Sequence, residues 1–178
     1  MKKYIPALVL ALLLCCRPLA AKEQNVNIYD MVREAPQESF YASDGRKLTL
    51  ADFKGKFILL VSWSRDCLPC IRELPSLKGF YDATQSSGIE LILLSDEGEW
   101  SDLEEQRRFL KKYKAEGLPF YVDPRGKLAE SLGIFTSPHT VLINAKGHEI
   151  GRIRGSADWD APAVIEYIYK LKSENNDR

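Results

Sequence analysis

The segment FILLVSWSRDCLPCIRELPS, residues 57–76, decides the fold, because it joins an apolar run to two cysteines and then to a helical pattern. Residues 57–61 are continuously apolar and follow a Lys-Gly-Lys turn, which is typical of a central strand covered on both faces. From Cys67 to about Gln85, apolar residues recur every three or four positions, and this spacing predicts a helix. Cys67 and Cys70 are therefore placed where a buried strand ends and a helix begins.

On both sides of this segment the sequence alternates between strand and helix patterns. Ahead of it, residues 40–50 predict two short extended pieces around an Asp-Gly turn, which is a strong hairpin signal. After it, the patterns predict a strand at 89–94, a helix from 101 to about 116 opened by a capping box of Ser101 and Glu104, a strand at 120–122, a short helix at 127–132, a hairpin of 140–144 with 149–154, and a helix at about 161–172. Strands that alternate with helices and end in a hairpin indicate an α/β layered sandwich with a mixed sheet.

The N-terminus has the parts of a secretory signal peptide. Lys2 and Lys3 precede an apolar run at residues 5–16, and small residues close this region at Ala21. The run is well short of the roughly 20 residues that a helix needs to span a bilayer. We therefore expect residues 1–21 to be a signal peptide and the protein to be periplasmic. An uncleaved membrane anchor and a buried helix remain alternatives.

The length and composition indicate one folded domain behind this leader. The chain has 178 residues, of which 45% are hydrophobic and 28% charged, an ordinary globular balance. We expect residues 22–34 to be a flexible lead-in, residues 35–174 to form the domain, and the last residues, SENNDR, to be a frayed polar tail. Lys and Arg total 25 and Asp and Glu total 25, so the formal net charge is zero and does not favour binding to nucleic acid or to an acidic membrane surface.

The two cysteines of the CLPC motif are predicted to be chemical rather than structural. The chain has 4 Cys, and two of them lie in the apolar leader, so the exported protein keeps Cys67 and Cys70. A disulfide across two intervening residues removes too little unfolded-state entropy to serve as a framework for a domain. At a helix N-terminus, unpaired N–H groups and the helix dipole favour a thiolate and lower a cysteine pKa from about 8.5 to roughly 3.5–7.5. We expect Cys67 to attack a disulfide and Cys70 to resolve the mixed disulfide, with no cofactor beyond this pair.

A metal site is the alternative use of the same two cysteines. A zinc site normally has four ligands, whereas the only histidines, His139 and His148, lie on opposite sides of a predicted hairpin turn. We therefore expect no stable zinc site. Thiolates also suit Cu(I), a soft ion, so a copper-binding module remains open.

The order of several short motifs resembles the TlpA/ResA-type (CcmG-like) branch of the thioredoxin family over nearly the whole exported chain. The matching positions are Ala35-Pro36, Phe40, Asp44-Gly45, Leu48, Leu50, Lys54-Gly55-Lys56, Trp63 with the two cysteines, Glu73, Pro75, Leu118-Pro119-Phe120, Asp123, Gly126, Gly133, Ser137-Pro138 and Gly155. The resemblance implies a thioredoxin-like three-layer α/β/α sandwich with a mixed central sheet, an N-terminal β-hairpin and a central βα insertion.

The resemblance also implies roles for four further residues. Pro138 is expected to be a cis-proline packed over the dithiol, and the backbone of Ser137 to pair with the substrate chain. Trp63 is expected to contribute to substrate binding. Glu73 matches an acid beneath the dithiol, where a carboxylate raises the pKa of nearby thiols and can relay protons. A solvated helix residue is the alternative for Glu73.

Three positions depart from the pattern of the family. Asp66 stands where many thioredoxins have Trp; its charge opposes the effect of the helix dipole on Cys67, unless it caps the helix and points away. Val61 stands where cytoplasmic thioredoxins have a buried Asp, so Glu73 is the candidate to replace that proton relay. His139 stands where the branch usually has Thr, and it either tunes the dithiol or points away from it.

The function and the partners follow from the same resemblance. It implies a periplasmic thiol:disulfide oxidoreductase that acts mainly as a reductant, with an oxidised client protein and a membrane-embedded thiol electron donor as partners. The clients implied are apocytochromes c or copper-site assembly proteins, and the sequence does not choose between them. We expect a monomer. A disulfide-forming oxidant remains an alternative, although the long helical insertion of that type is missing between the CLPC motif and Pro138.

Overall fold

After one additional strand at the N-terminal end of the described chain, strands and helices follow one another in the predicted order. The computed structural model describes residues 25–176. The strands are β1 (Asn25–Glu34), β2 (Phe40–Ala42), β3 (Lys47–Leu48), β4 (Phe57–Ser62), β5 (Ile89–Asp96), β6 (Phe120–Asp123), β7 (His139–Ile143) and β8 (His148–Arg154). The helices are α1 (Leu68–Thr84), α2 (Leu103–Lys112), α3 (Lys127–Ser131) and α4 (Pro162–Asn175). The signal peptide predicted for residues 1–21 lies outside the described residues.

The strands of the described chain form one mixed sheet in the order β1-β8-β7-β4-β5-β6-β2-β3. The central strand β4 runs parallel to β5 and antiparallel to β7. β5 and β6 are also parallel, and the remaining neighbours are antiparallel. Every residue of β4 is buried, as expected for a strand covered on both faces.

Helices cover both faces of this sheet. On one face, apolar residues of α1, α2 and α4 pack on alternate residues of β4 and β5, together with Trp100 and Trp159. On the other face, α3 and a short 3-10 helix at Leu50–Phe53 pack on the intervening residues of the same strands, including Ile58 and Leu60. The predicted three-layer α/β/α sandwich, with a mixed sheet and the hairpin of β2 and β3, is confirmed.

Residues 25–34 are not a loose lead-in, and that prediction is wrong. They form β1, an edge strand that pairs antiparallel with β8, with an irregularity between Ile28 and Arg33. Val26, Ile28 and Val32 pack against the main core. The segment is polar overall because an edge strand buries only one side. Its local sequence does not indicate a strand, and the strand is instead stabilised by pairing with the distant strand β8.

The N-terminus of α2 differs from the predicted capping box by one position. The N-cap is Asp102, whose carboxylate accepts a hydrogen bond from the backbone N–H of Glu105. Glu105, rather than Glu104, accepts hydrogen bonds from the backbone N–H and the hydroxyl of Ser101. The predicted pairing of Ser101 with Glu104 is therefore wrong, because the helix begins at Leu103.

The C-terminal end of the described chain is more ordered than predicted. Helix α4 continues to Asn175, which is only 3% exposed. The side-chain amide of Asn144 donates a hydrogen bond of 3.1 Å to the Asn175 carbonyl. Residues 173–175 thus belong to the helix, and the prediction of a frayed tail is wrong for them.

Candidate active site

The two cysteines lie at the junction of β4 and α1, as predicted. Cys67 is the N-cap residue of α1 and has an extended backbone, and its Sγ accepts a hydrogen bond of 3.2 Å from the backbone N–H of Cys70. The two residues form a disulfide with their Cα atoms 5.3 Å apart. The alternative that Asp66 caps the helix is wrong; the backbone N–H of Asp66 donates to the Ser64 hydroxyl instead.

Access to the two sulfurs is unequal. Cys67 is half-buried, whereas Cys70 is 0% exposed and packs in the main core. In disulfide exchange, the attacking sulfur must approach along the S–S axis of the disulfide. A second protein cannot reach the buried sulfur of Cys70 in this way, whereas it can reach that of Cys67. This asymmetry is the geometry that attack by Cys67 and resolution by Cys70 would require.

An open cleft of about 770 Å³ borders Cys67. Trp63 and Ser137, two of the predicted site residues, line it together with Cys67, and Phe135 contributes an apolar side chain that is 83% exposed. The Ser137–Pro138 peptide bond is cis, as predicted, with Ser137 exposed and Pro138 buried. The cleft therefore joins the attacking cysteine to the loop that precedes β7.

Behind Trp63, which lines the cleft, lies an aromatic cluster. Trp63 is 2% exposed, and its ring lies 5.6 Å from that of Trp100 and 5.9 Å from that of Phe109. Arg65 lies over the Trp100 ring at 4.9 Å, and its backbone N–H donates to the Glu99 carboxylate at 2.9 Å. These contacts fix the loop between β4 and α1, and hence the position of the helix N-terminus.

Glu73 is a buried acid rather than a solvated helix residue. It is 4% exposed, and its Oε2 accepts hydrogen bonds of 3.1 Å from the backbone N–H of Ala157 and from Nε1 of Trp159. Its Oε1 has no hydrogen-bond partner among the described residues. Burial raises the pKa of Glu73 to about 7, although both hydrogen bonds act in the opposite direction. Glu73 lines an open cavity of about 390 Å³ beside Pro75, and a pKa of about 7 means that it titrates near neutral pH.

His139 is buried at the start of β7 and does not line the cleft. It is 4% exposed, and its Nε2 has no hydrogen-bond partner within residues 25–176. Burial lowers the pKa of His139, and the positive charges of Arg152 and Arg154 lower it further. The imidazole is therefore neutral at physiological pH. Val61, at the position where cytoplasmic thioredoxins have a buried Asp, is an apolar residue of the core. Glu73 is the acidic residue that is buried on α1.

Three residues of the site were missed in the sequence. Ala157 and Trp159 bind the Glu73 carboxylate from more than eighty positions away, a pairing for which the sequence carries no local signal. Phe135 did carry a signal, since it is a large apolar residue directly before a Thr-Ser-Pro loop. Within the described chain, no three side chains of His, Cys, Asp or Glu form a group that could hold a metal ion.

A layered sandwich that carries a disulfide at the first turn of a helix, opposite a cis-proline loop, is the architecture of thioredoxin-fold redox proteins. Comparison with known families agrees with this class. The model of the AhpC/TSA family matches residues 31–149, and the chain belongs to that family.

Curated relatives of the chain are named as thiol-disulfide oxidoreductases. The chain is 30% identical over 151 residues to the thiol-disulfide oxidoreductase ResA of Bacillus cereus, an alignment that covers 85% of this chain and 82% of the relative. It is 32% identical over 94 residues to the sporulation thiol-disulfide oxidoreductase A of Bacillus subtilis, which covers 53% of this chain and 56% of that protein. The predicted resemblance is confirmed, and the protein is a thiol:disulfide oxidoreductase.

Solved structures agree with the fold. A secreted thiol-disulfide isomerase from Corynebacterium glutamicum superimposes with a TM-score of 0.69 at 17% identity, over 85% of this chain and 94% of that one. The exposed lipoprotein thioredoxin Etrx1 from Streptococcus pneumoniae superimposes with a TM-score of 0.61 at 25% identity, over 76% of this chain and 100% of that one. None of the helices in residues 25–176 has both the length and the apolar character needed to cross a membrane.

Proposed function

We propose that the protein is an exported reductase of client-protein disulfides, of the kind that serves cytochrome c maturation or copper-site assembly. The observation that carries the proposal is the unequal access to the dithiol, with Cys67 open to the cleft and Cys70 buried behind it. This arrangement suits a two-step transfer to a protein substrate. Export is supported by the predicted leader, and one structural relative is described as secreted.

The proposed reaction transfers two electrons from the dithiol to the client. The Cys67 thiolate attacks one sulfur of the client disulfide; a bond forms to that sulfur, and the other client sulfur leaves as a thiolate and takes up a proton. The Cys70 thiolate then attacks Cys67 Sγ, which releases the second client thiol and closes the Cys67–Cys70 disulfide. The structure corresponds to this oxidised product state.

Four other residues support these steps. The backbone of Ser137 pairs with the client chain beside Cys67, and Pro138 shapes the loop that presents it. Trp63 backs the wall of the cleft. Glu73 lies one helical turn after Cys70 and, with a pKa of about 7, takes up and returns the proton of the resolving thiol.

The proposed partners are an oxidised client protein and a membrane-embedded thiol donor that restores the dithiol, with the protein acting as a monomer. The test is the reduction potential of residues 22–178, which contain Cys67 and Cys70 and no other cysteine, measured by equilibration with dithiothreitol or glutathione. Cys70→Ala is the control, because it removes the intramolecular couple. We expect a potential near or below roughly −250 mV, on the thioredoxin side of the known range.

The other outcomes identify the alternatives. A potential near the DsbA value of about −120 mV would contradict a reductant and favour a disulfide-forming oxidant. Absence of any two-electron transition, together with stoichiometric binding of Cu(I), would favour a copper-binding module that uses the same two cysteines.

A further inference from the structure

A partly buried cluster of three polar side chains connects β1 to β8. Arg152 binds Glu149 through two hydrogen bonds, of 2.7 Å from Nε and 3.2 Å from Nη2, and their side chains are 11% and 5% exposed. The Tyr29 hydroxyl donates to Glu149 Oε1 at 2.8 Å, and Arg33 lies over the Tyr29 ring at 4.5 Å. We call Tyr29, Glu149 and Arg152 the β1–β8 cluster.

Arg152 also makes a hydrogen bond outside β1 and β8. Its Nη2 atom donates this hydrogen bond to the backbone carbonyl of Leu132. Leu132 is the C-cap residue of α3, and Gly133 turns the chain away with a positive φ of 66°. The last carbonyls of a helix have no intrahelical donor, so the guanidinium satisfies a group that would otherwise be unpaired.

The segment that begins at this carbonyl lines the client cleft. Residues 134–137 all border the cleft, and they include the exposed Phe135 and the predicted pairing residue Ser137. At its far end, the Pro138 carbonyl accepts a hydrogen bond of 3.0 Å from the backbone N–H of Gly155. The loop is thus bound to β8 at one end and to the residue that follows β8 at the other.

We propose that Arg152, oriented by Glu149 and Tyr29, is a positioning residue that fixes the client-binding loop at residues 132–137 against strand β8. The inference rests on the proposed function, since it assigns the loop to client binding. Arg152 does not touch the dithiol and takes no part in the exchange. It keeps Ser137 in place to pair with a client chain, and preorganisation of this kind lowers the entropy lost on binding.

The cluster can be removed without leaving a buried charge. Loss of one partner of a buried ion pair leaves the other charge unpaired, whereas replacement of both by apolar residues of similar size is often neutral for stability. The test variant is therefore Glu149→Leu with Arg152→Met. A second variant, Arg152→Lys, keeps a positive charge beside Glu149. It loses the planar guanidinium, which binds Glu149 and the Leu132 carbonyl at the same time. The control is Asp44→Asn with Arg46→Gln, which removes an exposed ion pair in the β2–β3 hairpin.

Two kinds of measurement test the proposal. The first compares the reduction of a synthetic peptide that carries one intramolecular disulfide with the reduction of 5,5′-dithiobis(2-nitrobenzoate), a small disulfide that needs no loop contact. Both cluster variants should raise KM for the peptide about threefold to tenfold, with kcat, the rate with the small disulfide and the reduction potential unchanged. The second is hydrogen exchange of the amides at residues 133–137, which should become about tenfold faster. The control variant should change neither.

Three other results would each contradict one part of the proposal. Unchanged exchange at residues 133–137 in both cluster variants would show that Arg152 does not fix the loop. Equal losses with the peptide and the small disulfide would show a general structural role instead of positioning. If the wild-type chain reduces the small disulfide but never the peptide, the proposed function fails, while hydrogen exchange still decides whether Arg152 holds the loop.

Discussion

Glu73 shows how burial and hydrogen bonding compete at a single residue. Two donors stabilise its carboxylate, and yet one oxygen finds no partner among residues 25–176 and the side chain is 4% exposed. Desolvation outweighs the donors, so the pKa rises from 4.5 to about 7. Glu73 itself could be predicted from the E-x-P motif, but its partners could not, because they arrive from the loop before α4.

Glu73→Gln is expected to change how the stability of the oxidised protein depends on pH. Between pH 4.5 and 7 the folded wild type binds a proton that the unfolded chain has released, so its stability falls as pH rises through this window, by about 3 kcal/mol in all. Gln cannot ionise and keeps an acceptor for Ala157 and Trp159. The variant should match the wild type near pH 4 and exceed its stability by up to about 3 kcal/mol at pH 8. Urea unfolding at both pH values measures this, and an equal difference at both would contradict it.

At the scale of elements, the pairing of β1 with β8 depends on a glycine. Gly151 lies opposite Ile28, and a Cβ at Gly151 would come within 2.5 Å of the Asn27 carbonyl oxygen. The close approach of two backbones explains why a residue that weakens most strands lies inside β8. The periodicity of the helices and of the buried strands predicted most elements correctly, whereas β1 was missed because its order comes from this distant contact.

Gly151→Ala is expected to destabilise the protein by about 1–3 kcal/mol, because the backbone of β1 must shift to admit the methyl group. Gly133→Ala provides the contrast, since the space around Gly133 is open and its cost comes from its positive φ alone. Hydrogen exchange separates the two variants: exchange of the β1 amides should accelerate in Gly151→Ala and stay unchanged in Gly133→Ala. Slow exchange of β1 in both variants would show that Gly151 is not needed for the pairing.

At the scale of the whole molecule, the alternation of strands and helices was enough to predict a layered sandwich, and the CLPC motif placed the site at its centre. The cleft at Cys67 and the cavity at Glu73 could not be predicted from the sequence, because each is formed by segments far apart in the chain. The limits of the folded unit were also wrong, since the sheet begins ten residues earlier than position 35.

Removal of residues 25–34 tests where the folded unit begins. A chain that starts at residue 35 loses the half-buried side chains of Val26, Ile28 and Val32, and it exposes the edge of β8. We expect it to be less stable than a chain that starts at residue 22 by about 3 kcal/mol, which lowers Tm by about 6–12 °C. Thermal unfolding followed by circular dichroism provides the measurement. Equal Tm values would show that residues 22–34 are a lead-in that does not contribute to the stability of the fold.

Helix α1 separates two openings in the surface, since the cleft at Cys67 and the cavity at Glu73 share no lining residue. On the proposed function, a client chain at Cys67 occupies a different opening from the one that Glu73 lines. Electron transfer to the client then takes place in one opening, while the buried Glu73 carboxyl lies beside the other. On the proposed function, the route by which Glu73 takes up and returns its proton stays clear of the client, including the interval in which the client is covalently attached.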